Sequence, residues 1–440
     1  MKIKSIEIQN LFEIFNYNIS FKKDENVLII TGPNGFGKTM VLNIIFNLFN
    51  RKFLFFQKLV FEKITLTLDE NIKVIILKTI TEGKSKISFS FYDKDKLDND
   101  KLIETFDYST KLELDFERTI DRYLPVHKIS DDKWIDHRTD RILNLEELLN
   151  EYADQLPDKF SKNLLRIKST KVNSILDSIQ VHLIREQRLF KKAQNTVERN
   201  YREEKEQTLM IETIQTYAKE LKQFILNNIQ KSFNQTQALD SSYLDRLIDE
   251  KNIITENDYN SRLLSLNEKQ ENLMEFGLYE SKQKIRDYSK DDAKALLVYI
   301  NDLEQKLIVF DDLLEKLELF TTILNERRFT YKSINISREK GFFFKTSKGK
   351  ELELNQLSSG EQHEVVLLYE LIFNVKPNIL VLIDEPEISL HITWQKEFLN
   401  DLLKIIKIQN IQVLIATHAP SIINGRWDLV YNLENVISND

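Results

Sequence analysis

The octapeptide GPNGFGKT, Gly32 to Thr39, fits the pattern G-x-x-x-x-G-K-[ST] and carries the residue types that a phosphate group needs. Gly32, Gly35 and Gly37, with Pro33, Asn34 and Phe36 between them, let backbone N–H groups converge on an anion at a helix N-terminus. Lys38 is placed to reach β- and γ-phosphates, and Thr39 to ligate Mg²⁺. Far downstream, ILVLIDEPE offers Asp384 and Glu385 just after five apolar residues. Asp384 suits Mg²⁺, while Glu385 suits the orientation and deprotonation of an attacking water. A further apolar run, QVLIATHAP, ends in Thr417 and His418, and a histidine there can hydrogen-bond a γ-phosphate. Ligands of open α/β sheets gather at the carboxyl ends of strands, so these three segments are expected to meet there.

The elements that must position these residues are legible in outline. SIEIQNL, NYNISF, NVLIIT, KITLTL, KVIILKT and KISFSFY, all within the first 120 residues, read as strands by alternation or by apolar runs. The polar DKDKLDND, Asp93 to Asp100, is expected to end that series as a surface loop. Its Asp93, Asp95 and Asp98 resemble a calcium loop only loosely, because Leu97 occupies a ligand position and no glycine follows. Between Pro157 and Pro377 there is no proline and little glycine, the pattern of long helices. Ala293, Leu296, Ile300, Leu303, Leu307, Phe310, Leu314 and Leu317 predict a coiled-coil seam. Ile211, Ile214, Ala218, Leu221 and Ile225 repeat the spacing as the other arm of an antiparallel hairpin. Two amphipathic helices on a globular core fit the same pattern. Strands return after Arg328 in YKSINIS, GFFFKT and ELELNQL, and LSSGEQ then opens an apolar helix at Leu357.

Composition narrows the classes. A chain of 440 residues, 42% hydrophobic, buries a sizeable core, and its length suggests two or three units. No apolar run approaches the ~20 residues of a membrane span, and the alternating MKIKSIEIQN reads as a first strand, not a signal peptide. A cytoplasmic protein without a membrane part is expected. There is no cysteine, and His127, His137, His182, His363, His391 and His418 form no ligand-like pairs, so zinc is not expected. A net charge of −7 argues against a generally basic nucleic-acid binder. Arg185, Arg188, Lys191 and Lys192 could make a local phosphate contact or form a solvated face.

The order GPNGFGKT, LSSGEQ, LIDEPE, SLH (Ser389 to His391) and ATH resembles the ABC-type ATPase heads shared by transporters, SMC-like repair proteins and OLD-like ATPases. The resemblance implies an α/β P-loop NTPase of ABC-ATPase head type, a mixed sheet with an antiparallel β subdomain, carrying a long helical, coiled-coil-like insertion. It divides the chain into 1–190 and 329–440 as the two parts of the head and 191–328 as the insertion. It implies that Ser358 and Gly360, followed by Glu361, cap the γ-phosphate of ATP held by a second copy, since two helix N-termini can clamp one triphosphate. Ser359 and Glu361 stand where transporter heads usually show glycine and glutamine, and no transmembrane half is present.

LSSGEQHEVVLLYELIF, LIDEPEISLHITWQ, HAPSIINGRWDL and VHLIREQRL are more closely similar to the AAA-15-like ATPases of bacterial anti-phage systems, of the Septu PtuA type or, as second choice, the PARIS type. That similarity implies ATP and Mg²⁺ as cofactors and Gln187 as the Q-loop residue between Mg²⁺, water and the helices. It also implies a head-to-head dimer, or a higher oligomer built from dimers. Such a dimer would restrain a separate HNH or Toprim effector nuclease and respond to nucleic acid or a phage-derived trigger. The chain itself shows no nuclease constellation. Two other readings stay open: a DNA-maintenance ATPase that clamps duplex DNA, and a nucleotide-held scaffold with little turnover.

Overall fold

Alternation at the N-terminus gives the expected strand, because β1 (Ile3–Leu11) turns Ile3, Ile6, Ile8 and Leu11 into the core. Antiparallel β2 (Phe15–Ser20) sets Ile19 opposite Ile6. The next run, β3 (Val27–Thr31), leaves this sheet, which continues through β4 (Lys63–Leu68), β5 (Ile72–Thr81), β6 (Lys84–Lys94) and β7 (Asp100–Tyr108). The order is β2-β1-β4-β5-β6-β7, antiparallel throughout. The series therefore does not end at Asp93: β6 runs on to Lys94, β7 begins at Asp100, and Asp93 lies opposite Lys101. The sequence hid β7 because its apolar residues do not alternate; Phe106 joins the sheet by stacking on Phe89 at 5.2 Å. A small antiparallel sheet follows, β8 (Val126–Ser130), β9 (Lys133–Asp136) and β10 (Ile142–Asn144), and then β11 (Val181–Ile184).

The computed structural model describes residues 1–22, 25–81, 84–94, 100–108, 124–130, 133–137, 141–144, 148, 169–185, 190–192, 210–279, 286–327, 329, 331–388 and 390–436. Asp95 and Asp98 of the calcium reading, and Gln187, lie outside these residues. Contacts divide the chain into two units. One comprises Met1–Glu186, Val375–Ile388 and Gln395–Asp440, and the other Gln187–Asn374 and Ser389–Trp394. The strands and helix of 332–369 thus group with the long helices, while the phosphate loop, Asp384 and His418 share the other unit.

In the helical unit, β12 (Phe190–Lys192) pairs with β13 (Met210–Glu212), and the helix Thr213–Ser241 follows at once, so Ile211 belongs to a strand. Ile214, Ala218, Leu221 and Ile225 are buried along that helix. The expected seam is buried as well, but it runs over two helices, Ala293–Ile308 and Asp311–Arg327. The break falls where Asp311 and Asp312 place negative charge in the first turn of a new helix. Lys306 pairs with Asp240 while Lys316 lies over the Phe224 ring, so the contacts step in opposite directions along the two segments, as an antiparallel arrangement requires.

A hairpin of β14 (Lys332–Ser337) and β15 (Gly341–Thr346), extended by β16 (Glu351–Leu352), packs on the helix Thr213–Ser241. The closest approach is at Gly341, where φ is +76° and a Cβ would fall 2.0 Å from the Ala218 carbonyl oxygen. Gly341→Ala must therefore both strain the backbone and push the helix away. A loss of about 3 kcal/mol is expected in a denaturant melt, against almost none for the exposed Gly349→Ala control beyond its own backbone strain of about 1 kcal/mol.

The remaining strands complete the first unit. β17 (Leu380–Asp384) and β18 (Gln412–Ala416) are buried at every residue, as strands covered on both faces are. With β19 (Val430–Asn432) they form a wholly parallel sheet, β11-β17-β18-β3-β19. Helix α1 (Lys38–Phe49) lies on this sheet, and its Val41, Leu42, Ile44, Ile45 and Leu48 share one core with β1, β4 and β5. Gln412 fastens the two sheets, its side-chain oxygen accepting from Ile3 N–H at 3.0 Å and its amide donating to Ile3 C=O at 2.8 Å. This is the α/β architecture of a P-loop NTPase with an antiparallel β subdomain. Among the described residues no helix is long and apolar enough to cross a membrane.

Candidate functional site

The loop Gly32–Gly37 leaves the carboxyl end of β3 and enters α1. Gly37, at φ 80°, is the N-cap, so no side chain satisfies the first-turn N–H groups and they stay available to an anion. A Cβ at Gly37 would lie 3.2 Å from Leu11 Cδ2. Tyr17 holds the loop from below, its hydroxyl donating to Phe36 C=O at 2.7 Å, and Phe15 packs its ring on Phe36. Burial pushes the Tyr17 phenol far above its ordinary range, with Tyr431 adding to the effect, so it remains a donor. Lys38 is 5% exposed, and its ammonium donates to Gly32 C=O at 2.8 Å and Pro33 C=O at 3.2 Å.

Thr39 is the point where loop and acid meet. Its hydroxyl donates to Asp384 Oδ1 at 3.1 Å, across a sequence separation of 345 residues. β18 lies between β3 and β17 in the sheet, and α1, which packs on both β17 and β18, carries Thr39 to the Asp384 carboxylate. Glu385 follows with φ 42°, a left-handed conformation that costs a bulky residue about 1–3 kcal/mol. Its amide donates to Ala416 C=O at 2.8 Å, which fixes the turn.

His418 stands at the end of β18, half exposed, with Nδ1 3.7 Å from Glu385 Oε1 and 3.0 Å from Glu387 Oε1. Glu387 is the participant that residue patterns did not single out. It is 6% exposed, and its Oε1 accepts from Thr417 Oγ1 at 2.6 Å and from the His418 amide at 2.9 Å as well. Its letter was in plain view in DEPE, but only the turn that bonds Ile388 N–H to Glu385 C=O carries it inward.

In the other unit, Ser358 caps the helix Ser359–Tyr369 that the LSSGEQ turn opens. Ser358 Oγ accepts from the Glu361 amide, while Glu361 Oε2 accepts from Ser358 N–H at 2.8 Å and Ser358 O–H at 3.0 Å. Lys332 donates to both Glu361 oxygens at 2.8 Å. Burial pushes the Glu361 carboxyl up, but the bonds from Lys332 and Ser358 outweigh it and leave the group below its ordinary value. Glu361, expected beside the nucleotide, therefore has its carboxylate committed to the cap. Here it orders the turn that contains Ser358 and Gly360. Ser389 lies outside the described residues; His391 Nδ1 bonds the Thr393 hydroxyl at 2.8 Å.

The AAA_15 family, described as an AAA ATPase domain, matches residues 1–423. The chain belongs to this family. An AAA_15 chain is an ATPase. The match also spans the helical region. No curated protein matches the sequence. Among solved structures, the Smc head domain with an extended coiled coil bound to the C-terminal domain of ScpA, from Pyrococcus furiosus, is similar at 13% identity. It covers 96% of this chain and 91% of that one, with a TM-score of 0.39. The SMC head domain from Thermotoga maritima is 11% identical, covering 98% and 94%, with a TM-score of 0.32. An SmcHead bound to the C-winged helix domain of ScpA is 9% identical, covering 96% and 91%, with a TM-score of 0.35.

Proposed function

We propose that this AAA_15 ATPase is a nucleotide-driven switch of a cytoplasmic anti-phage defence complex, in which two copies close around two ATP molecules and regulate a separate effector nuclease. A Septu PtuA-like subunit is the best fit, with the PARIS ATPase second, on the similarity of LIDEPEISLHITWQ and HAPSIINGRWDL. The effector is an HNH or Toprim nuclease on another chain, and nucleic acid or a phage-derived molecule is the trigger. The observation that carries the switch is the Thr39–Asp384 contact. It supports a site where Lys38 holds phosphate, Glu385 prepares water, and His418 attends the terminal phosphate.

Mg²⁺ fits this pair. Neighbouring oxygens of an octahedron with bonds of about 2.1 Å stand about 3.0 Å apart, and the hydroxyl and carboxylate are 3.1 Å apart. Among the described residues no three His, Asp or Glu side chains converge to hold an ion alone, so phosphate oxygens and water would complete the shell. Bound there, the ion would neutralise charge on the phosphates. Gln187 is assigned to that ion and the water.

Ser358 and Gly360 are assigned to the nucleotide of the second copy, and mixing variants tests this. Lys38→Ala and Ser358→Arg should each be inactive alone. Equal mixing should restore about a quarter of wild-type turnover, because half the dimers then hold one intact site. No recovery under conditions where the two variants exchange subunits would overturn the shared site. Turnover stimulated by duplex DNA, with no second chain present, would favour DNA maintenance instead.

A further inference from the structure

We infer that Lys332 is a positioning residue of the shared ATP site: by pairing with Glu361 it sets the Ser358–Gly360 turn of its own chain for the nucleotide held by the second copy. This rests on the reading of Ser358 and Gly360 as residues that face the other copy's nucleotide. Four hydrogen bonds end on the Glu361 carboxylate, from Ser358 N–H and O–H to Oε2 and from the Lys332 ammonium to each oxygen. The two from Ser358 lie within the turn and close its cap. Lys332 comes from another element, as the first residue of β14, 29 residues earlier in the chain. Its side chain and that of Glu361 are only 26% and 15% exposed, so this pair is shielded from water and salt in a way that surface ion pairs are not.

The strand that carries the ammonium is itself held in place. Two residues after Lys332, Ile334 N–H donates to the Asn325 side-chain oxygen at 2.8 Å, and the Asn325 amide donates back to Ile334 C=O at 3.2 Å. The turn has a second bond of its own, from the Gln362 side chain to Leu357 C=O at 2.9 Å. These internal bonds shape the turn; Lys332 adds a tie to β14 and a positive charge. Without it the carboxylate keeps its cap but stands uncompensated in the first turn of the helix, beside the N–H groups that are to meet a phosphate, and like charges there oppose each other.

Lys332→Met should lower ATP turnover about 10- to 100-fold, the worth of a hydrogen bond to a charged group. Its affinity for ADP should stay within about twofold of wild type, because the loop that cradles those phosphates is unchanged and ADP has no γ-phosphate for the turn to meet. Lys332→Arg can still bond both carboxylate oxygens and should keep most of the turnover, which guards against a folding defect in the methionine variant. Glu361→Gln keeps an acceptor for Ser358 N–H and needs no counter-charge, so adding Lys332→Met to it should cost less than about threefold more. Mixing then locates the effect. Combined with Lys38→Ala under conditions of subunit exchange, Lys332→Met should recover about a quarter of wild-type turnover, since about half the dimers hold one intact site. Combined with Ser358→Arg it should stay at the level of the single variants, because both changes lie on the same side of the site. Losses that multiply in the Glu361→Gln double variant, or no recovery with Lys38→Ala where Ser358→Arg and Lys38→Ala do recover, would overturn the inference. No recovery in that reference mixture would instead overturn the facing of Ser358 and Gly360, so the two failures are distinct.

Discussion

Glu385→Gln is expected to lower ATP turnover by about 10²- to 10⁴-fold, the span usually lost with a general base, while nucleotide binding stays within a few-fold of wild type. The substitution is nearly isosteric. It leaves the left-handed turn at φ 42° and the amide bond to Ala416 C=O as they are, so the strand end keeps its shape. What it removes is the capacity to take a proton from water. Lys38, Thr39 and Asp384 are untouched, so phosphate affinity should persist. Phosphate release under single-turnover conditions, beside nucleotide titration of the same variant, separates the two quantities. Turnover within about threefold of wild type would remove Glu385 from the base role and leave the Glu387–His418 pair to be examined for it.

The outcome also divides a motor from a scaffold. If the assembly needs only bound nucleotide, Glu385→Gln should hold it together, even more firmly than wild type, because the ligand is no longer consumed. If the output needs the cycle of closing and reopening, the same variant assembles and fails. Size-exclusion chromatography with ATP, next to a functional assay, distinguishes them.

The site was legible where local chemistry dictates structure. Five apolar residues before Asp384, and four before Thr417, read as strands buried on both faces, and ligand groups after such strands gather at one edge of the sheet. The interleaving of β18 between β3 and β17 was not legible, because strand order is set by crossover connections that leave no mark on the residues themselves. Glu387 was missed for a related reason. Its contacts depend on a turn that brings a polar side chain under the end of the neighbouring strand, one crossover later in the chain, and letter spacing carries no such vector. Phe310 shows the opposite error: it continues the seven-residue rhythm, but Asp311 and Asp312 begin a new helix, and rhythm alone does not reveal a change of helix.

Lys38→Ala should weaken ATP binding by about 10²- to 10⁴-fold. A hydrogen bond to a charged group is worth about 1.5–3 kcal/mol, and an ammonium shared between two phosphates makes about two of them. The ammonium already points into the loop, bonded to the Gly32 and Pro33 carbonyls, so it needs little movement to meet a phosphate cradled there. Removing it also leaves those two carbonyls without that donor, at a cost of about 1–3 kcal/mol in the absence of nucleotide. Thermal melts should show both effects. Without ATP the variant melts below wild type, and at a concentration about 100 times the wild-type Kd it gains almost nothing, whereas wild type gains about 2.7 kcal/mol. Lys38→Arg should not rescue binding, because the wider guanidinium must fit a space that now holds an ammonium between two backbone oxygens. If Lys38→Ala bound ATP as tightly as wild type, the phosphates would lie elsewhere, and the Thr39–Asp384 contact would lose its meaning as a metal-ready edge.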